Sequence, residues 1–151
     1  MSELSVKDNI EDILERDGVY ASVTAGSSMR PLFKTHRDMI VLKKAEQRLS
    51  KYDVALYRIN GKYILHRVIG IDESREVYII RGDNTYAKEY IPFDKILAVL
   101  VSFNRKGKHC DVSSFKYRFY SVLWNAIYPI RHVAYKCYSF LKRTLKKLIK
   151  K

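Results

Sequence analysis

Cysteine is scarce in this sequence: only Cys110 and Cys137 occur in a chain of 151 residues. Two thiols cannot cross-link a framework of this size, and neither stands in a metal-ligand spacing. A disulfide scaffold is therefore excluded, and a reducing compartment, the cytoplasm, is expected. Long apolar runs are also missing, so no segment supplies the roughly 20 consecutive apolar residues of a membrane-spanning helix. Residues 1–16 are polar and acidic and lack the apolar core of a secretion signal. Repeats and low-complexity stretches are absent. Acidic residues nearly vanish at one end: residues 105–151 hold a single acid, Asp111, against 13 Lys and Arg. Residues 1–104 are balanced, with 16 bases against 15 acids, so almost all of the net charge of +13 belongs to the last third. The two parts have different electrostatic roles.

What is present is enough apolar material for one packed domain, with 47% hydrophobic residues. Residues 7–17 place Ile10, Ile13 and Leu14 on one helical face, with Asp8 or Asn9 to cap and Gly18 to stop. From Val19 to Phe103 the pattern becomes that of strands. Met39–Leu42 is a buried run, and Val54–Ile59 meets Tyr63–Ile69 across Asn60-Gly61. Asn-Gly between two apolar runs is a strong hairpin signal, because both central residues of the tight turn need positive φ. Val77–Ile80 and Ile96–Val101 add two further strands. The expected fold is mostly β within the α+β class, antiparallel, with five or more strands. The expected divisions are an N-terminal helix (1–18), a β-domain (19–104) and a basic, aromatic, amphipathic helical tail (105–151).

In that tail Phe119, Val122, Leu123, Ala126, Ile127 and Ile130 follow helical spacing up to a break near Pro129. Val133, Cys137, Phe140, Leu141, Leu145, Leu148 and Ile149 continue the stripe, and Lys and Arg fill the opposite face. Phosphate binding needs charge but no contiguous apolar face, so nucleic acid is not the expected partner. A lysine-rich amphipathic helix flanked by Trp124 and tyrosines suits the surface of an anionic bilayer, and residues 113–151 are assigned to that role. The alternative is that the stripe packs on the β-domain and the lysines form a solvated face.

Three short segments of the β-domain carry chemistry. Gly26-Ser27-Ser28-Met29-Arg30-Pro31 presents a hydroxyl among small residues that keep backbone amides accessible. Ile64-Leu65-His66-Arg67-Val68-Ile69 places an imidazole, the side chain best suited to general-base work near neutral pH, in a strand. Ile79-Ile80-Arg81-Gly82-Asp83-Asn84 puts an acid in a turn after a strand. Each alone reads as an ordinary turn or a structural histidine. In this order they resemble the type I signal peptidases, whose motifs run Ser-Met-x-Pro, base-Arg-Val and Gly-Asp-Asn. The resemblance covers about Thr24 to Ser102, and with histidine at the base position it is to the endoplasmic-reticulum-like branch.

The resemblance implies a coiled β-domain of the signal-peptidase/LexA type. It implies a serine endopeptidase that cleaves a precursor, signal or leader peptide, with Ser28 as nucleophile and His66 as general base. The acid that orients His66 is Asp83 or Glu89, with Asp83 placed first. Ser27 and Met29 are assigned to the oxyanion and substrate side, although Met29 serves equally as a core filler. Gly26 stands where many members carry a second serine, so the oxyanion would rest on the Ser28 amide. The family's N-terminal membrane anchor is not found in residues 1–16, and a cytoplasmic enzyme peripheral to the membrane is expected. Asp38 and Asp53 read as structural turn acids and His36 as an exposed residue. No metal or organic cofactor is implied. Two rivals remain: a self-cleaving repressor of the same superfold, disfavoured by histidine in place of lysine, and an inactive module that docks through its tail.

Overall fold

The computed structural model describes residues 9–149, and the side chains of residues 9–145. Lys7 and Asp8 of the expected first helix, and the side chains of Leu148 and Ile149, lie outside the described residues. The chain runs α1 (Ile10–Asp17), β1 (Val19–Val23), β2 (Met39–Lys44), β3 (Val54–Ile59), β4 (Lys62–Asp72), β5 (Val77–Arg81) and β6 (Glu89–Pro92). It continues with β7 (Ile96–Arg105), β8 (Lys108–Asp111), α2 (Phe115–Ala126) and α3 (Tyr128–Ile149). The strands form one sheet in the order β1-β2-β7-β3-β4-β5-β6, with β8 paired to β7, and every pairing is antiparallel. The mostly-β, α+β expectation holds, with eight strands.

α1 ends at Gly18, whose φ of 70° is free of the usual side-chain clash and whose amide donates to the Leu14 carbonyl. Asn9 occupies the N-cap position, but its side chain accepts from the Tyr63 hydroxyl and not from the helix. The Asn60-Gly61 turn has φ of 50° and 77°, and it sets the register from Ile59↔Lys62 to Val54↔Arg67. β3 is buried on both faces. Val54 and Leu56 join a cluster with Leu14, Met29, Phe33 and Leu100, while Ala55 and Tyr57 join one with Val68, Tyr78 and Ile80. Each large apolar side chain so buried contributes about 1.5–3 kcal/mol before conformational entropy is set against it.

Three strands escape the sequence reading: β1, β6 and β8. β8 extends the sheet to Asp111, beyond the expected boundary at residue 104, through a turn at Lys106 and Gly107 with φ of 52° and 76°. This is the same positive-φ geometry as Asn60-Gly61, but lysine carries no turn signal of its own. β6 has only four residues and ends at Pro92, as an edge strand allows.

α2 starts at Ser114, whose hydroxyl accepts the Tyr117 amide, and the helices break at Ile127 with Pro129 in the first turn of α3. Tyr117 and Ser121 are buried against the β-domain. No described helix is long and apolar enough to cross a membrane.

Candidate active site

Ser28 lies in the loop between β1 and β2. That loop is drawn tight by Thr24, whose amide donates to the Asp38 carbonyl and whose hydroxyl donates to the Lys34 carbonyl. The fully buried Asp38 carboxylate accepts the Lys34 amide at 2.7 Å and both Nε and Nη2 of Arg37, at 2.7 and 2.8 Å. Asp38 is thus the structural acid expected, and what it organises is the segment carrying Ser28. The Arg37 bonds, with the Lys34 amide, overcome burial and lower its pKa to about 2.

A depressed carboxylate contributes stability that is complete above its unfolded value of 3.8 and is lost as pH falls through about 2. Asp38→Ala is expected to lose about 2–3 kcal/mol at neutral pH, because charged hydrogen bonds are removed and the part-buried Lys34 amide loses its acceptor. Denaturant titrations between pH 7 and 2 check this: the variant should show a flatter acid limb than the wild type.

Ser28 is half-buried, and neither its hydroxyl nor its amide makes a hydrogen bond among the described residues. The hydroxyl expected to act as nucleophile and the amide expected to hold the oxyanion are therefore both open. Met29 is a core residue that also lines an apolar cavity of about 200 Å³, together with Ser28, Val23, Ile40 and Leu65. The core-filling role expected of it is the one its burial shows. Ser27 is exposed, and its carbonyl accepts from the Asn84 side chain at 3.3 Å. Gly26 has φ of 77°, and His36 is exposed.

His66 sits in β4 opposite Ala55, which puts it diagonally beside Tyr57 on the same sheet face. The pairing Ile80↔Glu89 brings β6 to that face. His66 Nδ1 lies 3.1 Å from Glu89 Oε2 and 3.2 Å from the Tyr57 oxygen, and the Tyr57 hydroxyl donates to Glu89. An ionised carboxylate only accepts, and a phenol already donating to it can only accept from the ring. The hydrogen between them therefore belongs to His66 Nδ1, and in the neutral ring it is Nε2 that carries the lone pair. Burial first, then the bond to Glu89, raises the Tyr57 phenol well above its ordinary range, so it stays a donor.

Asp83, placed first as orienting acid, is engaged elsewhere. It pairs bidentately with Arg67, both bonds 2.8 Å, and the two side chains are almost fully buried. The same guanidinium donates to the Tyr52 carbonyl, the Tyr117 hydroxyl and Ser121 Oγ. Burial works against the Arg67 charge, but the Asp83 bonds outweigh it and raise its pKa. Strand alternation explains the split: His66 and Arg67 are neighbours and so face opposite sides of the sheet. The carboxylate on His66 is Glu89's, which reverses the order expected between the two acids. Tyr57 was not singled out from the sequence, yet counting back from the two-residue Asn60-Gly61 turn pairs Ala55 with His66 and sets Tyr57 beside it.

The Gly82–Asn84 turn joins these parts. The Asn84 amide donates to the Ser28 carbonyl at 2.7 Å. A Cβ at Gly82 would stand 2.8 Å from the Ser28 carbonyl oxygen, 3.0 Å from His66 Nε2 and 3.0 Å from Thr85 Oγ1. Glycine is required here by close approach, and the Ser28 carbonyl and His66 Nε2 both border the space that a side chain at residue 82 would fill. No hydrogen bond links Ser28 Oγ to the ring among the described residues. Gly82→Ala should displace the Ser28 carbonyl and the imidazole from their places beside the turn. A loss of roughly 100-fold or more in any Ser28-dependent activity is expected, since small displacements of reacting groups cost about that much; steady-state kinetics checks this.

Asp53 accepts the Ser50 amide at 2.8 Å and acts as a turn acid. Among the described residues no group of three His, Cys, Asp or Glu side chains could hold a metal. The chain matches no protein-family model and no curated protein.

Proposed function

We propose that this chain is a serine endopeptidase of the signal-peptidase type, with its β-domain coiled in the manner of that superfamily. The observation that carries the reading is the setting of His66: Nδ1 is held by Glu89, and Nε2 borders the same space at Gly82 as the Ser28 carbonyl. That is the base-orienter half of a nucleophile–base–acid unit, assembled beside an open serine. In the reaction Ser28 Oγ attacks the scissile carbonyl while His66 Nε2 takes its proton. Glu89 holds the imidazolium that forms. The Ser28 amide donates to the oxyanion, and His66 returns the proton to the leaving amine. Water then repeats the sequence to release the acyl group. The Ser28–His66 hydrogen bond closes when substrate fills the cleft, as is common for sites that tighten on binding.

The resemblance places small side chains at the first and third positions before the cut, and the cavity beside Ser28 is lined mostly by apolar side chains. The substrate is a precursor or leader peptide met by a cytoplasmic enzyme. Incubation with a panel of such peptides, read by mass spectrometry, tests this. Cleavage after a small residue, lost in Ser28→Ala, is expected. Cleavage that persists in Ser28→Ala, or an inert wild type across the panel, would overturn the reading.

A further inference from the structure

The face by which α2 seats on the β-domain is its polar and aromatic one. Tyr117 and Ser121 bind Arg67, the Tyr120 hydroxyl donates to Asp83 Oδ2, and Trp124 Nε1 donates to the Asp83 carbonyl at 2.9 Å. Arg131 of α3 donates to that same carbonyl at 2.8 Å, and Tyr135 stacks on Tyr86. The seating is extensive, and it leaves the apolar side of both helices in solvent. Phe115, Phe119 and Val122 follow one another along α2, and Phe115 is 82% exposed. Ile130, Val133, Phe140, Leu141 and Leu145 do the same along α3, with Ile130 at 73% and Phe140 at 69%. Eight large apolar residues in two ordered stripes exceed what scattered surface hydrophobics explain.

We infer that this outward face docks on the surface of an anionic bilayer, with α2 and α3 lying in the interface plane. This goes beyond the proteolytic reading and does not depend on it. Charge selects the occupant. Residues 105–151 carry 13 Lys and Arg and one acid, and Lys136, Lys142 and Arg143 flank the stripe on exposed positions. A second copy of the chain would bring two such basic faces together and meet repulsion. Nucleic acid would satisfy the charge and leave the apolar stripe in water. An anionic lipid surface satisfies both, with headgroups against the cations and acyl chains against the stripe. The seating has a geometric consequence as well. α2 and α3 grip Asp83, next to the Asn84 amide that holds the Ser28 carbonyl, so the docking helices are joined to the Ser28 loop through a single turn.

The test is co-sedimentation of the full chain with phosphatidylcholine vesicles, with and without phosphatidylserine, at low and high salt. A polarity-sensitive fluorophore on the exposed Cys137, in a Cys110→Ser background, gives a second readout. Binding is expected only to the anionic vesicles, weakened by salt, with a blue shift of the label. The Val133→Ser/Phe140→Ser variant should bind at least about tenfold more weakly, because each apolar side chain transferred into lipid supplies a factor of that order. Both positions are exposed, so the variant should keep the wild-type circular dichroism. Four outcomes would overturn the inference. They are no vesicle binding, equal binding to neutral vesicles, binding indifferent to the variant, and a label shifted by self-association without lipid.

Discussion

Arg67→Ala is expected to destabilise the chain by about 3–5 kcal/mol, the scale on which removing one partner of a buried ion pair acts. Against a total stability of about 5–15 kcal/mol, that is enough to unfold a large fraction of the protein. The size follows from what is left behind. Asp83 would remain buried and charged without its two 2.8 Å bonds, and the Tyr52 carbonyl, Tyr117 hydroxyl and Ser121 Oγ would lose their common donor. α2 would lose much of its seat at the same time. Asp83→Ala should cost a similar amount for the converse reason. A double variant, Arg67→Met/Asp83→Leu, should be less destabilised than the two single effects added, since no unpaired charge stays in the core. Chemical denaturation of the three variants measures this, and additive losses would show that the pair is not coupled.

Glu89→Gln should behave in the opposite way. Glu89 is partly exposed at the edge strand β6, so little stability is at stake, within about 1 kcal/mol. The imidazole, however, loses the acceptor that fixes its hydrogen on Nδ1. A glutamine amide can donate to Nδ1 instead, which puts the hydrogen on Nε2, the atom proposed to take the proton of Ser28. A fall in kcat/KM on the order of 10²–10⁴-fold is expected, as for other orienting acids converted to amides. Tyr57→Phe should cost much less, because Glu89 retains its direct bond to the ring. The contrast between the two acids is the useful feature. Asp83 variants lose the fold, and Glu89 variants keep the fold and lose the rate. If Asp83→Asn proved inactive while fully stable, and Glu89→Gln fully active, the assignment of the two acids would be reversed.

Much of the sheet is legible in the sequence, because its cues are local. Asn60-Gly61 announced its hairpin through two residues that tolerate positive φ. Lys106-Gly107 makes the same turn, but tertiary pairing with the end of β7 imposes it on a lysine, and β8 was read as tail. β6 was too short to show a period, and with it went the position of Glu89. The two acids were ordered by motif membership, whereas the deciding fact was alternation along β4, which sends His66 and Arg67 to opposite faces. That alternation was available from the sequence. Where the guanidinium would find its carboxylate was not, because Asp83 follows a different strand. The amphipathy of the tail was legible too. Which face meets the β-domain was not, because periodicity does not say that tyrosines, Ser121 and Trp124 bind Arg67 and Asp83 better than the aliphatic stripe could. Gly82 stood in a recognised motif, but its reason, the close approach of the Ser28 carbonyl and the His66 ring, is visible only in three dimensions.

The central claim is that His66, held by Glu89, activates Ser28. Intact-mass analysis after exposure to an acylating serine-peptidase inhibitor tests it most directly, using wild type, Ser28→Ala and His66→Ala, with and without anionic vesicles. One adduct on the wild type, absent from Ser28→Ala and strongly slowed in His66→Ala, is the expected result. An adduct that survives Ser28→Ala, or that forms equally fast without His66, would contradict the account.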